Sequence, residues 1–274
     1  MRYYFLVGLD GMKCIEGEWC SMIRILKNHP FAVEAFFESS IVLTFSAPKD
    51  QLCHLIPRCL ELDLYQKETA FIALAMVSTK QLRPKGFPKL FGNDFFLIGY
   101  RIFVRFNTPK GKRLRGLYIL KSETDSKRME FLGNLFTKYR YSTIDIQFSE
   151  NDESKTIRSI SSGLMVKYKE TADNHCLPQT SPFSDLKEAR RFSGPLPFTF
   201  SYDPKKEAIL LVEGVRQQWV PQPIQILDYH SDFINSLGVQ DIKLANAFII
   251  KEVPYFWKRG RLIPWQNQGV TLQA

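Results

Sequence analysis

The stretch from Phe95 to Asp145 constrains the fold more than any other, because it spells a long hairpin, a helix and the start of another strand in immediate succession. Thr108-Pro109-Lys110-Gly111 is the pivot. Proline fixes φ at the second turn position, and glycine permits the left-handed residue that closes a bulged hairpin. With Thr108 opposite Lys112, alternation sets Asn107 against Arg113, Arg105 against Arg115, Phe103 against Leu117 and Arg101 against Ile119. One face is then apolar throughout, from Tyr100, Ile102, Val104 and Phe106 to Leu114, Tyr118 and Leu120. The other is basic at the tip and apolar at the base, with the guanidinium of Arg101 embedded in it.

A charge on an apolar face needs an acid or a ligand, since leaving it unpaired costs several kcal/mol, on the order of a strong interaction's whole net contribution. Arg105 and Arg115 face each other across the ladder, where like charges repel. They splay into water or are bridged by an anion.

The charge excess of +9 raises the question of nucleic acid, but the basic residues are scattered rather than gathered on one helix or motif. The expectation is a basic surface and no nucleic-acid partner. Abundant phenylalanine and tyrosine suit a β-rich interior. The five cysteines, Cys14, Cys20, Cys53, Cys59 and Cys176, form no CxxC pair, so reduced thiols in a cytoplasmic protein are expected, without disulfide framework or zinc knuckle. The opening run MRYYFLVGLDG is too short to span a membrane and lacks a cleavage site.

Ile15, Trp19, Met22, Ile23 and Leu26 follow a helical period, so residues 1–28 read as an amphipathic helical extension that docks on the domain or on a second copy. Homo-oligomerisation is therefore possible, whereas the mixed charges of its polar face argue against membrane binding. Further on, Ser39–Phe45 is β-prone, and a short helix follows Pro48. Leu60, Leu62 and Leu64 alternate with Glu61 and Asp63 as in a half-buried strand with solvated acids, and Phe71–Val77 is apolar on both faces. Thr124 or Asp125 caps a helix containing Gly133, whose missing side chain implies close packing or an early end. Tyr141, Thr143, Asp145 and Gln147 then make one polar face, which either looks inward toward Arg101 or out into water. Ile157–Tyr168 reads as one strand, Ser184 or Asp185 opens a short helix, and Phe198–Tyr202 with Ala208–Val212 forms a second hairpin. Trp219 and Trp257 read as core residues. No linker divides the chain, so residues 29–261 form a single mainly β domain of α+β type with short peripheral helices, and residues 262–274 a C-terminal tail.

Several segments resemble a family of unknown function, domain of unknown function 2071, within the acetoacetate decarboxylase-like superfamily. They are His29-Pro30-Phe31, Val33-Glu34-Ala35-Phe36-Phe37, Gly99-Tyr100-Arg101-Ile102-Phe103, Arg115-Gly116-Leu117, Gly133-Asn134-Leu135, Gly194-Pro195-Leu196-Pro197, Glu213-Gly214-Val215-Arg216 and Leu244-Ala245-Asn246-Ala247-Phe248. The resemblance implies a closed, cone-like antiparallel β-barrel whose lumen holds a small acidic or carbonyl compound. Acetoacetate decarboxylase forms a Schiff base through one of two adjacent lysines, the neighbour lowering its pKa. Laid on Gly133–Ser142, that pair falls near Tyr141 and Ser142. Neither forms an imine, so the resemblance implies the fold without Schiff-base decarboxylation.

The leading expectation is a small-molecule ligand, an organic acid or carbonyl compound, with Arg101 holding its anionic group. Tyr100, Asn134, Tyr141 and Arg216 join it as candidate binding residues. The alternative is a lyase, hydratase or aldolase-type enzyme with Glu213 or Asp145 as base. A third reading, a purely structural or interaction protein, pairs Glu213 with Arg216 or Arg101. His29, His54, His175 and His230 show no metal spacing, so no metal site is expected. No phosphate loop or dinucleotide fingerprint is present, so no cofactor is expected.

Overall fold

In the computed structural model, which describes residues 26–170, 177–216 and 219–265, the Thr108–Gly111 turn closes as its sequence dictates. Thr108 N–H donates to the Lys112 carbonyl at 2.8 Å, Gly111 N–H donates to the Thr108 carbonyl at 2.9 Å, and Gly111 takes φ +74°. Strands β4 (Asn93–Asn107) and β5 (Arg113–Thr124) pair antiparallel in the expected register, Arg105 opposite Arg115 and Arg101 opposite Ile119. The register shifts between Tyr100 and Arg101, so that Tyr100 faces Lys121. Such bulges re-aim side chains next to them.

The fold is mainly β. β1 (Val33–Pro48) and β3 (Thr69–Pro84) extend the sheet beyond β4, and β13 (Lys243–Trp257) pairs with β1. On the far side of β5 lie β10 (Phe198–Asp203) and β11 (Ala208–Arg216). β11 also pairs with β13, Gly214 opposite Trp257 and Arg216 opposite Tyr255. The order β11-β10-β5-β4-β3-β1-β13 thus returns on itself as a ring. One junction departs from the expected antiparallel scheme, since β10 runs parallel to β5 with Phe198 opposite Gly116. Gly116 permits that approach, because a Cβ there would lie 2.5 Å from the Phe198 carbonyl oxygen.

Alternation gives the two faces of these strands different surroundings. Ile98, Tyr100, Leu74, Met76 and Leu43 pack outward against a second layer that includes β8 (Lys155–Ser159), β9 (Leu164–Glu170) and β12 (Gln222–Ser231). β7 (Gln147–Glu150) extends this layer from β8. β8 and β9 replace the single strand expected over Ile157–Tyr168. Gly163 makes the turn between them with φ +57°, and a Cβ there would fall 1.9 Å from Asp232 Oδ2. The helices are short, in chain order α1 (Lys49–Leu52), α2 (Lys127–Phe136), α3 (Leu186–Ser193) and α4 (Asp232–Ser236). Ser126 caps α2, one residue beyond the candidates read from sequence, and Asp185 caps α3.

β2 (Glu61–Leu62) is only two residues long, and the chain then turns Asp63 under the hairpin. Asp63 is 0% exposed and accepts from Arg105 Nε through Oδ1 and from Arg115 Nε through Oδ2, the latter at 2.6 Å. The acid expected in water is therefore the anion that bridges the facing arginines.

Strand β6 (Tyr141–Thr143) pairs parallel with β5, and β14 (Arg261–Pro264) pairs with β11, so pairing continues past the start of the expected tail. Apart from Leu26, the hydrophobic positions of the expected N-terminal helix lie outside the described residues, as do Cys14, Cys20 and Cys176. Cys53 and Cys59 are free thiols. Among the described residues no helix is long and apolar enough to cross a membrane, and no three His, Cys, Asp or Glu side chains gather where a metal ion fits.

Candidate functional site

A cavity of about 550 Å³ is lined by every strand of the ring: Val42, Ala75, Arg101, Ile119, Thr199, Arg216 and Tyr255 stand for the seven. Two other strands separate Arg101 on β4 from Tyr255 on β13 along the sheet. They share one cavity because they face each other across the ring.

The Arg101 side chain keeps some accessible area because it faces this cavity, while its Nε is buried with no hydrogen-bond partner. Gly99 makes room for it: a Cβ at that position would lie 3.1 Å from Nε and 3.3 Å from Nη2. Burial lowers the Arg101 pKa from its ordinary value, opposed by the nearby phenols of Tyr255, Tyr141 and Tyr139. Burial conversely pushes the phenol of Tyr141 up to about 12 and raises that of Tyr139, so both remain neutral donors. Among the described residues, the lining contains arginines but no aspartate, glutamate or lysine.

Arg101, Tyr141 and Arg216 are brought together, as the sequence reading requires. Tyr141 owes its position to the Gly133–Asn134 pair of α2. Asn134 clamps the Tyr141 backbone from both sides, donating to its carbonyl and accepting from its N–H, each at 2.8 Å. A Cβ on Gly133 would stand 2.4 Å from the Tyr141 ring. Asn134 is therefore a positioning residue and not part of the lining. Arg216 donates to the Pro195 carbonyl and lies over the Trp219 ring at 5.3 Å, with its Nη1 3.4 Å from the Tyr255 hydroxyl.

Tyr100 is turned away. As the strand neighbour of Arg101 it points to the opposite face, is 0% exposed, and shares a hydrogen bond with Ser231 at 3.1 Å. The two carboxylates considered as bases also lie elsewhere. Glu213 forms an ion pair with Lys258 at 2.8 Å. Asp145 accepts from the backbone N–H of Ile160 and Ser161 at 2.9 and 2.8 Å and from the hydroxyls of Ser159 and Ser161. Those donors, the Ser161 hydroxyl foremost, hold its carboxyl far below the usual range. It is a turn cap and a weak base. Glu213→Gln and Asp145→Asn are accordingly expected to leave ligand affinity within twofold of wild type, checked by calorimetric titration; a tenfold loss in either would return that carboxylate to the site.

Sequence reasoning missed Tyr139 and Tyr255; Trp219 packs against the Phe248, Ile250 and Val253 cluster, as expected of a core residue, and both it and Trp257 also line the cavity. The signal for Tyr255 was its period-two spacing from Trp257 on one strand face. Lys138, the lysine nearest the tyrosine pair, is held by Asp203 at 2.7 Å.

This architecture is that of known enzymes. The acetoacetate decarboxylase of Legionella pneumophila superposes with a TM-score of 0.56 at 9% identity, over 85% of this chain and 88% of that one. An acetoacetate decarboxylase-like enzyme from Sphingomonas wittichii RW1 gives 0.53 at 9% identity, over 88% and 95%. The enduracididine biosynthesis enzyme MppR, complexed with pyruvate, gives 0.51 at 11%, over 85% and 90%. At these identities the likeness shows the fold alone. No curated protein matches the sequence. The profile of DUF2071, a family described as an uncharacterized conserved protein, matches residues 35–254, and the chain belongs to that family.

Proposed function

We propose that the ring acts as a closed, cone-like barrel that binds an organic anion or carbonyl compound, with Arg101 neutralising the charge. The observation that carries this is a deeply set guanidinium facing a cavity in which no described lining residue bears negative charge. A buried charge without a counter-ion is unfavourable by several kcal/mol, on the order of folding stability itself, and an anionic ligand removes that penalty. Tyr139, Tyr141 and Tyr255 lie near the guanidinium, with hydroxyls suited to a carboxylate's remaining lone pairs. Schiff-base chemistry has no support, because no lysine is among the described lining residues. A hydratase, lyase or aldolase reaction would take its base from His29, which lines the cavity and whose imidazole burial holds below its ordinary pKa and hence neutral.

Calorimetric titration with carboxylates and their primary amides tests the reading. The acids should bind at least tenfold more tightly than the amides, the difference expected of charge-assisted hydrogen bonds at about 1.5–3 kcal/mol. Equal affinity, or silence from both, would defeat it.

A further inference from the structure

Six buried side-chain polar atoms among the described residues lack a hydrogen-bond partner. Four of them, Arg101 Nε, Thr79 Oγ1, Asn93 Nδ2 and His29 Nδ1, belong to residues lining the cavity of the ring. Native proteins rarely leave such groups unmet, and an exception reflects strain, a functional role or a bound water, ion or ligand. Thr79 is 1% exposed, His29 8% and Asn93 9%. Thr79 and Asn93 offer unmet capacity without charge, and Arg83, which lines the cavity near them, is already paired with Glu34.

The spacing is read from strand register. The Arg101 guanidinium lies over Gly99. Thr79 is paired with Phe95, four residues away along β4, and Asn93 lies two residues further. At 3.3 Å per residue the separations are about 13 and 20 Å. Between them the wall is apolar, Leu97 and Phe95 on β4 beside Val77 on β3. Phe87 and Phe91 line the cavity yet are exposed, so they mark the end open to solvent. At about 550 Å³ the cavity lies within the range of about 300–1,000 Å³ found for pockets that hold drug-sized ligands, more than a short keto acid fills.

Resting on the anion-binding reading above, the geometry points to an elongated ligand: a carboxylate that meets Arg101, an apolar chain, and an uncharged hydroxyl, carbonyl or amide oxygen that meets Thr79 and Asn93. An extended chain advances about 1.2 Å per bond, a third of the span of one residue, so the two groups stand about eleven to seventeen bonds apart. Asn93 Nδ2 and Thr79 Oγ1 are the unpartnered groups that these lining residues offer, an amide donor and a hydroxyl that can donate or accept.

The test compares dodecanoate, its primary amide, ω-hydroxydodecanoate and the shorter ω-hydroxyhexanoate by calorimetric titration of the full chain. The ω-hydroxyl should tighten binding of the twelve-carbon acid about five- to tenfold, as one buried hydrogen bond does. The six-carbon acid should bind far more weakly. Thr79→Val with Asn93→Leu should bring the hydroxyl preference to unity, and Thr79→Ser alone should retain it. Thermal unfolding confirms that each variant is folded. If dodecanoate outbinds its amide but the hydroxyl adds nothing, or if the preference survives Thr79→Val with Asn93→Leu, the elongated bipolar ligand is overturned and the anion-binding reading stands. If neither acid outbinds the amide, the anion-binding reading fails, and this inference fails with it.

Discussion

Asp63→Ala is expected to destabilise the protein by about 3–5 kcal/mol, because it strips the carboxylate from two guanidiniums at once. Asp63 is fully buried, while Arg105 and Arg115 keep part of their surface, so the loss comes from repulsion between facing arginines as well as from desolvation. More than the hairpin is affected. Arg115 also donates from Nη2 to the Phe192 carbonyl at 3.0 Å and lies over the Phe192 ring, tying α3 to β5. Urea unfolding measures the effect as a fall in midpoint at nearly constant slope. The triple replacement Asp63→Leu, Arg105→Met, Arg115→Met should recover most of the lost stability, since swapping a buried ion cluster for apolar groups is often neutral or favourable. A triple variant as unstable as Asp63→Ala would mean that the loss runs through the Arg115 contacts with Phe192, which methionine cannot make, rather than through unpaired charge.

Asp63 also marks where the sequence stops being legible. Leu60, Leu62 and Leu64 alternating with Glu61 and Asp63 is what a two-faced strand looks like, and Glu61 does keep to water, pairing with the exposed Arg113. Alternation holds even past the two paired residues, with Leu60, Leu62 and Leu64 on one core cluster and Asp63 on the other side; what no period shows is that Arg105 and Arg115 cover that side. Local chemistry was readable wherever a few adjacent residues set the outcome. Pro109 and Gly111 fix the turn and, through it, every pair up to Arg101. Gly133 signals close packing and finds the Tyr141 ring. The cavity is a different kind of fact. Its closure depends on Gly214, Val215 and Arg216 meeting Trp257, Phe256 and Tyr255, segments whose partners no period reveals. The strand neighbour of Arg101 is instructive: Tyr100, expected to supply a hydrogen bond to the ligand, is sent by period two to the opposite face, where it bonds Ser231. Thr79 and Asn93 look like ordinary strand residues. Only burial without a partner distinguishes them, and that is visible only in three dimensions.

Arg101→Met is expected to act in the opposite sense to Asp63→Ala. Methionine keeps an unbranched side chain and adapts to irregular space, while it removes a charge that has no carboxylate partner among the described residues. The unliganded protein should gain stability, by about 1–3 kcal/mol, because the desolvation penalty of the guanidinium disappears and no ion pair is lost with it. Carboxylate affinity should fall about 10- to 100-fold, the equivalent of about 1.5–3 kcal/mol for charge-assisted hydrogen bonds. The two readouts together separate the possibilities. A structural arginine, paired as Arg105 and Arg115 are, loses stability on replacement and leaves affinity unmoved. An arginine held in reserve for a ligand yields the reverse, a rise in urea midpoint without ligand and a smaller ligand-induced rise with it, because a ligand stabilises only as far as its concentration exceeds its dissociation constant. A fall in midpoint for Arg101→Met would place a hidden counter-charge beside this side chain and remove the reason for expecting an anion there.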